Sequence, residues 1–255
     1  MGGRRMAGVV WITGAGKGIG RAVALLLAQR GATVAASART ADDLAGLAAE
    51  AAAGRGRIVP FALDVTDEPA VRATVEAIEA ELGPIGQAVL NAGAHLPVTA
   101  ANFVTRPFRR LIETNLMGAV NGLAALAPRF VARRAGRIAV VASVAGYGGL
   151  PSAAAYGATK AALINMCEAL RPDLARHNVV LQVINPGFVR TPLTDRNDFP
   201  MPFLIEADDA AQRIVAGLGS DRFEIAFPRR FALLLKLLRL LPYPLYFAVT
   251  RRLVR

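Results

Sequence analysis

The chain has 255 residues, with 30 Lys and Arg against 19 Asp and Glu, a net charge of +11 and 54% hydrophobic residues. That length suits one large α/β domain with a full core, and so apolar a composition excludes a mostly disordered chain. A single cysteine, Cys167, excludes an internal disulfide framework and fits a reducing compartment.

The first apolar run, Val9–Ile12, leads straight into Thr13-Gly14-Ala15-Gly16-Lys17-Gly18-Ile19-Gly20, and a helical stretch follows over Gly18–Arg30. Strand, tight glycine turn and helix in that order form a phosphate cradle. Glycines let the backbone approach a pyrophosphate, and the helix N-terminus offers unpaired N–H groups and a positive dipole end. Thr33–Ala36 reads as the second strand and continues Ser37-Ala38-Arg39-Thr40. An acid at this strand end would bind ribose hydroxyls, and none is present. Arg39, with Lys17 in reach, suits a 2′-phosphate instead, which selects NADP(H) over NAD(H).

Helices follow at Ala41–Ala53 and Glu68–Leu82, with Asp67 as N-cap of the latter and Gly31 and Gly54 after helix ends. Strands are expected at Ile58–Ala62, Ala88–Leu90, Ile138–Val141 and Val179–Ile184, and further helices at Phe108–Arg133 and Ala153–Arg176. The strand runs are continuously apolar, as in strands buried on both faces. Strand–helix alternation of this kind predicts a parallel sheet with right-handed crossovers and helices on both faces. Asp64-Val65, after the third strand, is placed at the adenine edge of the cofactor.

Ser143 follows the fifth strand, and Tyr156 and Lys160 lie four apart at the start of a helix, on one face. A phenol near pKa ~10 is a poor base at neutral pH, and a neighbouring ammonium lowers that value. Ser143 can bond a carbonyl oxygen that Tyr156 protonates while hydride arrives from a nicotinamide.

At this point the chain resembles the classical short-chain dehydrogenase/reductase family over roughly Ala7–Phe227. The matching features are TGAGKGIG at Thr13–Gly20, Asn91-Ala92-Gly93, Asn115, Ser143, Tyr156 with Lys160, and Pro186-Gly187, all in the family's order. The resemblance implies a Rossmann-like, doubly wound sheet of seven strands, the last near Phe223–Phe227. It implies a catalytic set of Asn115, Ser143, Tyr156 and Lys160. Tyr156 would be the acid/base, Lys160 would bind the nicotinamide ribose, and Asn115 would hold a water linking Lys160 to solvent. It implies cofactor contacts at Gly14, Gly16, Lys17, Gly18, Ile19, Gly20, Arg39, Asp64, Val65, Asn91, Ala92, Gly93, Tyr156, Lys160, Pro186, Gly187, Val189 and Thr191. Asn91 would pack beside the adenosine, the Val189 backbone would hold the carboxamide, and Thr191 would meet the carboxamide or pyrophosphate. A homodimer or homotetramer is expected, through helices such as Phe108–Arg133 and Ala153–Arg176.

His95 and His177 have no ligand partners at metal spacing, so no metal site is expected, and Cys167 reads as a small core residue. The loop Phe188–Ala207 carries Phe188, Leu193, Phe199, Met201, Phe203 and Leu204, an apolar lid suited to a lipophilic carbonyl or alcohol.

The charge excess gathers in residues 228–255, set apart from the domain of residues 1–227. From Arg229 onward there are seven basic residues and no acid, which leaves +4 for the rest. Without basic–aromatic interleaving or a recognised module in the body, no nucleic-acid partner is expected. Arg229–Leu241 places Arg229, Lys236 and Arg239 on one helix face, and Phe231, Leu234, Leu235, Leu238 and Leu241 on the other. Such a helix either lies on an anionic membrane or packs on the protein or another subunit. A cytoplasmic enzyme in peripheral contact with the inner face of a membrane is the resulting expectation. The alternatives are a 3-oxoacyl-carrier-protein reductase and a non-catalytic dinucleotide-binding membrane protein.

Overall fold

The computed structural model describes residues 8–195 and 200–253. Seven strands form one parallel sheet: β1 (Val9–Thr13), β2 (Thr33–Ala38), β3 (Arg57–Ala62), β4 (Ile85–Leu90), β5 (Gly136–Val141), β6 (Val179–Pro186) and β7 (Glu224–Phe227). Their order is β3-β2-β1-β4-β5-β6-β7, so the winding reverses between β1 and β4. A parallel sheet of that order opens a crevice beyond the carboxyl ends of its strands at the reversal.

Both sheet faces are covered, and the period of two along each strand assigns residues to them. Val10, Ile12, Val34, Ala36, Val89 and Ile184 face α1 (Gly18–Gln29), α2 (Ala41–Ala51) and α7 (Ala207–Leu218). Val9, Trp11, Ala35, Ala88, Leu90, Ile138 and Val183 face α3 (Glu68–Leu82), α5 (Gly118–Arg133) and α6 (Ala154–Arg176). Trp11 is fully buried on the second face, its indole N–H donating to the Ser37 hydroxyl at 3.0 Å. Asp67 caps α3 by accepting from the Ala70 N–H at 2.9 Å, a contact worth about 1 kcal/mol.

The structure corrects the expected elements in several places. The single helix expected over Phe108–Arg133 is divided into α4 (Thr105–Leu111), a π-helical turn (Ile112–Met117) and α5. Such a turn inserts one residue per helical turn and commonly marks a functional position. β4 begins three residues before its expected start, at Ile85. Gly54 stands beyond the residue after the α2 cap, Ala52. Two helices were not expected, α7 and α9 (Tyr243–Thr250).

The expected basic helix exists as α8 (Arg229–Arg239), joined to β7 by a cis Phe227–Pro228 peptide. Its expected faces hold in part: Arg229, Lys236 and Arg239 are exposed, but Leu234 does not join the packed side. Phe231, Ala232 and Leu235 are buried and Leu238 packs with them, whereas Leu233, Leu234, Leu237 and Leu240 are exposed. Eight apolar residues within twelve positions are too many for a single stripe. No helix among the described residues is long and apolar enough to cross a membrane.

Candidate active site

The cleft at the carboxyl ends of the strands has a volume of about 480 Å³. It runs from Gly14, Lys17, Gly18 and Ile19 past Arg39, Asn91 and Gly93 to Ser143, Tyr156 and Lys160, and its far wall is Pro186, Gly187, Val189 and Thr191. Gly16, Gly20, Asp64, Val65, Ala92 and Asn115 stand behind this lining or to one side of it.

The glycine loop is pinned from below. The Asn91 amide donates to the Thr13 and Gly14 carbonyls, each at 3.1 Å, and the Thr13 hydroxyl accepts from the N–H groups of Asn91 and Ala92. Gly20 has no room for a side chain, because a Cβ there would lie 2.4 Å from the Gly14 carbonyl. Gly14 sits at φ +66°, where glycine alone is unstrained. Gly18 faces the opposite loop, a Cβ there falling 3.1 Å from the Thr191 methyl. The loop is thus open to the cleft and closed to side chains, as a dinucleotide's pyrophosphate requires.

At the mouth of this half, Arg39 is exposed and lines the cleft. Lys17 forms an ion pair with Asp43 of α2 at 3.3 Å, which brings an acid to the glycine loop that the strand-end pattern had not revealed. Asp64 accepts from the N–H and hydroxyl of Thr66 at 3.0 and 2.9 Å. Those bonds, aided by the charge of Arg39, hold its carboxyl below the usual range. Val65 points into the core against Gly118, and its carbonyl accepts from Asn121 at 2.9 Å.

In the other half, Ser143 accepts from the Ala145 N–H at 3.1 Å and its hydroxyl donates to the Pro186 carbonyl at 3.3 Å. Tyr156 is half-buried in the wall. Burial pushes its pKa up, and the Ser143 hydroxyl pulls the other way. Lys160, 3% exposed, donates to the Val141 carbonyl at 2.8 Å, and its ammonium lies 5.6 Å from the Tyr156 ring centre. Burial brings its pKa down to about 8. Desolvation acts on both groups and favours their neutral forms.

Asn115 lies in the π-helical turn and is 1% exposed. Its side-chain oxygen accepts from the Ala94 N–H at 2.7 Å, and its amide donates to the Ala94 carbonyl and the Thr159 hydroxyl. It ties the segment after β4 to α6 directly behind Tyr156.

Several cleft residues were missed by sequence reasoning, among them His95, Leu96 and Arg110. His95 stands edge-on to Tyr156, with ring centres 4.9 Å apart, and burial pushes its pKa down. The available signal was its position four residues after Asn91. His177 and Cys167 lie outside the cleft lining, and burial pushes the Cys167 thiol up to about 12.

The profile of the short chain dehydrogenase family matches residues 8–199. An "Uncharacterized oxidoreductase" of Myxococcus xanthus is 40% identical over 95% of this chain and 96% of its own. A "3-oxoacyl-[acyl-carrier-protein] reductase FabG" of Thermotoga maritima is 35% identical over 74% of this chain and 76% of its own. Among solved structures, a short-chain dehydrogenase from Sphingobium yanoikuyae in complex with NADPH superposes with a TM-score of 0.79 at 28% identity, covering 89% of this chain and 92% of that one. The chain belongs to the short-chain dehydrogenase family and is an oxidoreductase of that family.

Proposed function

We propose that the protein is an NADP(H)-dependent oxidoreductase that interconverts a lipophilic carbonyl and its secondary alcohol, with Tyr156 as acid/base. The observation that carries this reading is the joining of two sites in one cleft. A glycine cradle at one end leads to Ser143, Tyr156 and Lys160 at the other. The residues fit a dinucleotide: Gly14 and Gly18 leave the loop open, and the α1 N-terminus points its N–H groups at the cradle. When bound, the nicotinamide supplies or accepts the hydride.

The chain's own residues handle the proton. Ser143 holds the substrate oxygen beside the phenol. Tyr156 donates its proton in reduction and accepts one in oxidation. Burial keeps the phenol neutral and able to donate. Lys160 holds the nicotinamide ribose, and Gly93 leaves it room, a Cβ there falling 3.6 Å from the ammonium. Asn115 positions α6, and because its amide is committed to Ala94 and Thr159, a water beside Lys160 would be bound through its backbone. Arg39 pairs with the 2′-phosphate.

A specific observation favours NAD(H) as a second reading. Asp43 at the glycine loop pairs with Lys17, and an acid there would accept from ribose hydroxyls. The T. maritima relative favours a carrier-linked 3-oxoacyl substrate as the second reading of the substrate. Residues 1–227 serve as the catalytic domain and 228–255 as an extension in peripheral contact with the inner face of a membrane. The working form is a cytoplasmic homodimer or homotetramer, which would cover Phe103, Val104, Ile112 and Met117 beside α4.

The test is NADPH oxidation with a panel of long-chain, steroid-like, small polar and carrier-linked carbonyls. Wild type is expected to prefer the lipophilic ones, and Tyr156→Phe to lose about a thousandfold in turnover. A preference for small polar carbonyls refutes the lipophilic substrate, and equal rates in Tyr156→Phe refute the acid/base assignment.

A further inference from the structure

Helices α8 and α9 carry apolar side chains on two opposite sides. Inward, Phe231, Ala232, Leu235 and Tyr246 are buried against Val144, Tyr147 and Leu150. The void left between them is only about 10 Å³. Tyr246 adds a 2.6 Å hydrogen bond to the Gly149 carbonyl. Outward, Leu233, Leu234, Leu237, Leu240, Tyr243, Leu245, Phe247 and Val249 are exposed. Leu240 is 79% exposed, and exposed apolar side chains gathered on neighbouring helices mark an interaction surface.

The charge around this face has one sign. Arg229, Arg230, Arg239, Arg251 and Arg252 are exposed, Lys236 is paired with Glu224, and residues 229–255 contain no acid. Tyr243 stacks on Phe247 and lies under the Arg239 guanidinium. Apolar side chains ringed by arginines and tyrosines match the layered chemistry of a bilayer surface: acyl chains, then headgroups, then anionic charge. A second copy of the same face would oppose arginine with arginine, which argues against self-pairing.

The inner side reaches the substrate loop. Phe231 stacks on Phe188 at 5.8 Å and packs on Phe203 at 5.7 Å, at the two ends of the segment whose Leu193 lines the cleft. Lys236 bonds Glu224, which also accepts from Tyr147 and Asn185 at 2.6 and 2.8 Å. Tyr147 itself follows Ser143 by four residues. One helix thus touches the lid, the serine segment and the outer apolar face.

We propose that the outer face of α8 and α9 docks on an anionic lipid bilayer, and that Phe231 holds Phe188 and Phe203 at the lipid boundary, so that a lipophilic carbonyl passes from bilayer to cleft without crossing water. The docking surface stands on its own; the passage of substrate rests on the reductase reading.

The experiment uses the full chain with vesicles of phosphatidylcholine alone or mixed with phosphatidylglycerol, read by flotation. Binding is expected to be about tenfold stronger on the anionic vesicles and to weaken with added salt. The double variant Leu237→Asp, Leu240→Asp, on the exposed side only, is expected to lose vesicle binding and keep its melting temperature. It should also keep its turnover of a small water-soluble carbonyl and lose about tenfold on a long-chain ketone dissolved in vesicles. Wild type that does not float with anionic vesicles overturns the docking. So does wild type that forms a dilute-solution dimer broken by the double variant, since a second copy is then the occupant. Unchanged turnover of the vesicle-dissolved ketone in the variant overturns the substrate passage. Vesicle binding without reduction of any carbonyl would fail the reductase reading alone, and leave the surface standing.

Discussion

The glycine loop lines the cleft, the C-terminal helices pack outside its lining, and the two are held by different forces. The loop is fixed by hydrogen bonds from Asn91 and Thr13 and by contacts as close as the 2.4 Å that a Gly20 Cβ would make. The helices are fixed mainly by apolar packing around Phe231, Leu235 and Tyr246. Polar pinning of the first kind has one geometry, because each donor and acceptor must be matched. Apolar packing is non-directional, and the same leucine chemistry serves the inner and the outer side of α8. The cofactor half is therefore fixed by directional bonds, and the C-terminal helices by non-directional packing.

Lys160→Met breaks the comparison most severely, since it acts where the two halves meet. Turnover is expected to fall about a hundredfold or more. Its effect on stability has a defined sign. The folded protein holds Lys160 at about 8 against an ordinary 10.5. Between those values the unfolded chain binds the extra proton, so wild-type stability rises with pH. Melting temperatures measured from pH 7.5 to 10 are expected to show wild type gaining on Lys160→Met, by up to about 3 kcal/mol.

Arg39→Asp sharpens the account of the cofactor half. NADPH affinity is expected to fall about 10- to 100-fold in a titration, with NADH affinity changed little. Equal losses for both would favour the reading in which Asp43 meets the ribose. Lys236→Met is the smallest step and probes the C-terminal helices. Its pair with Glu224 is partly exposed, so the melting temperature is expected to drop by at most about 1 kcal/mol equivalent. A larger loss would mean that charge, rather than Phe231 and Leu235, secures α8.

The cofactor half was legible because its signals are local. TGAGKGIG and its flanking strand and helix lie within one stretch, and strands β1, β2, β3, β5 and β6 appear close to their expected places. What was not legible depends on distant neighbours. Asp43 meets Lys17 only once α2 folds back beside the loop. His95 reads as an isolated histidine until α6 brings Tyr156 against it. The π-helical turn at Ile112–Met117 leaves no periodic trace, because Asn115 bonds Ala94 and Thr159 across the fold. Helix α7 did have a local pattern, with acids at Asp208 and Asp209 and apolar residues at Ala210, Ile214 and Leu218, and was overlooked beside the apolar lid. Phe199 of that lid and Arg255 of the basic end lie outside the described residues.

Trp11 is the chain's single tryptophan, fully buried in β1 three residues before Gly14 and bonded to Ser37 of the adjoining strand. An indole so shielded emits at short wavelength, and that emission overlaps the absorption of a reduced nicotinamide. The molecule thus carries its own optical gauge beside the cradle: quenching on titration would follow dinucleotide occupancy, and a red shift would follow the opening of the sheet.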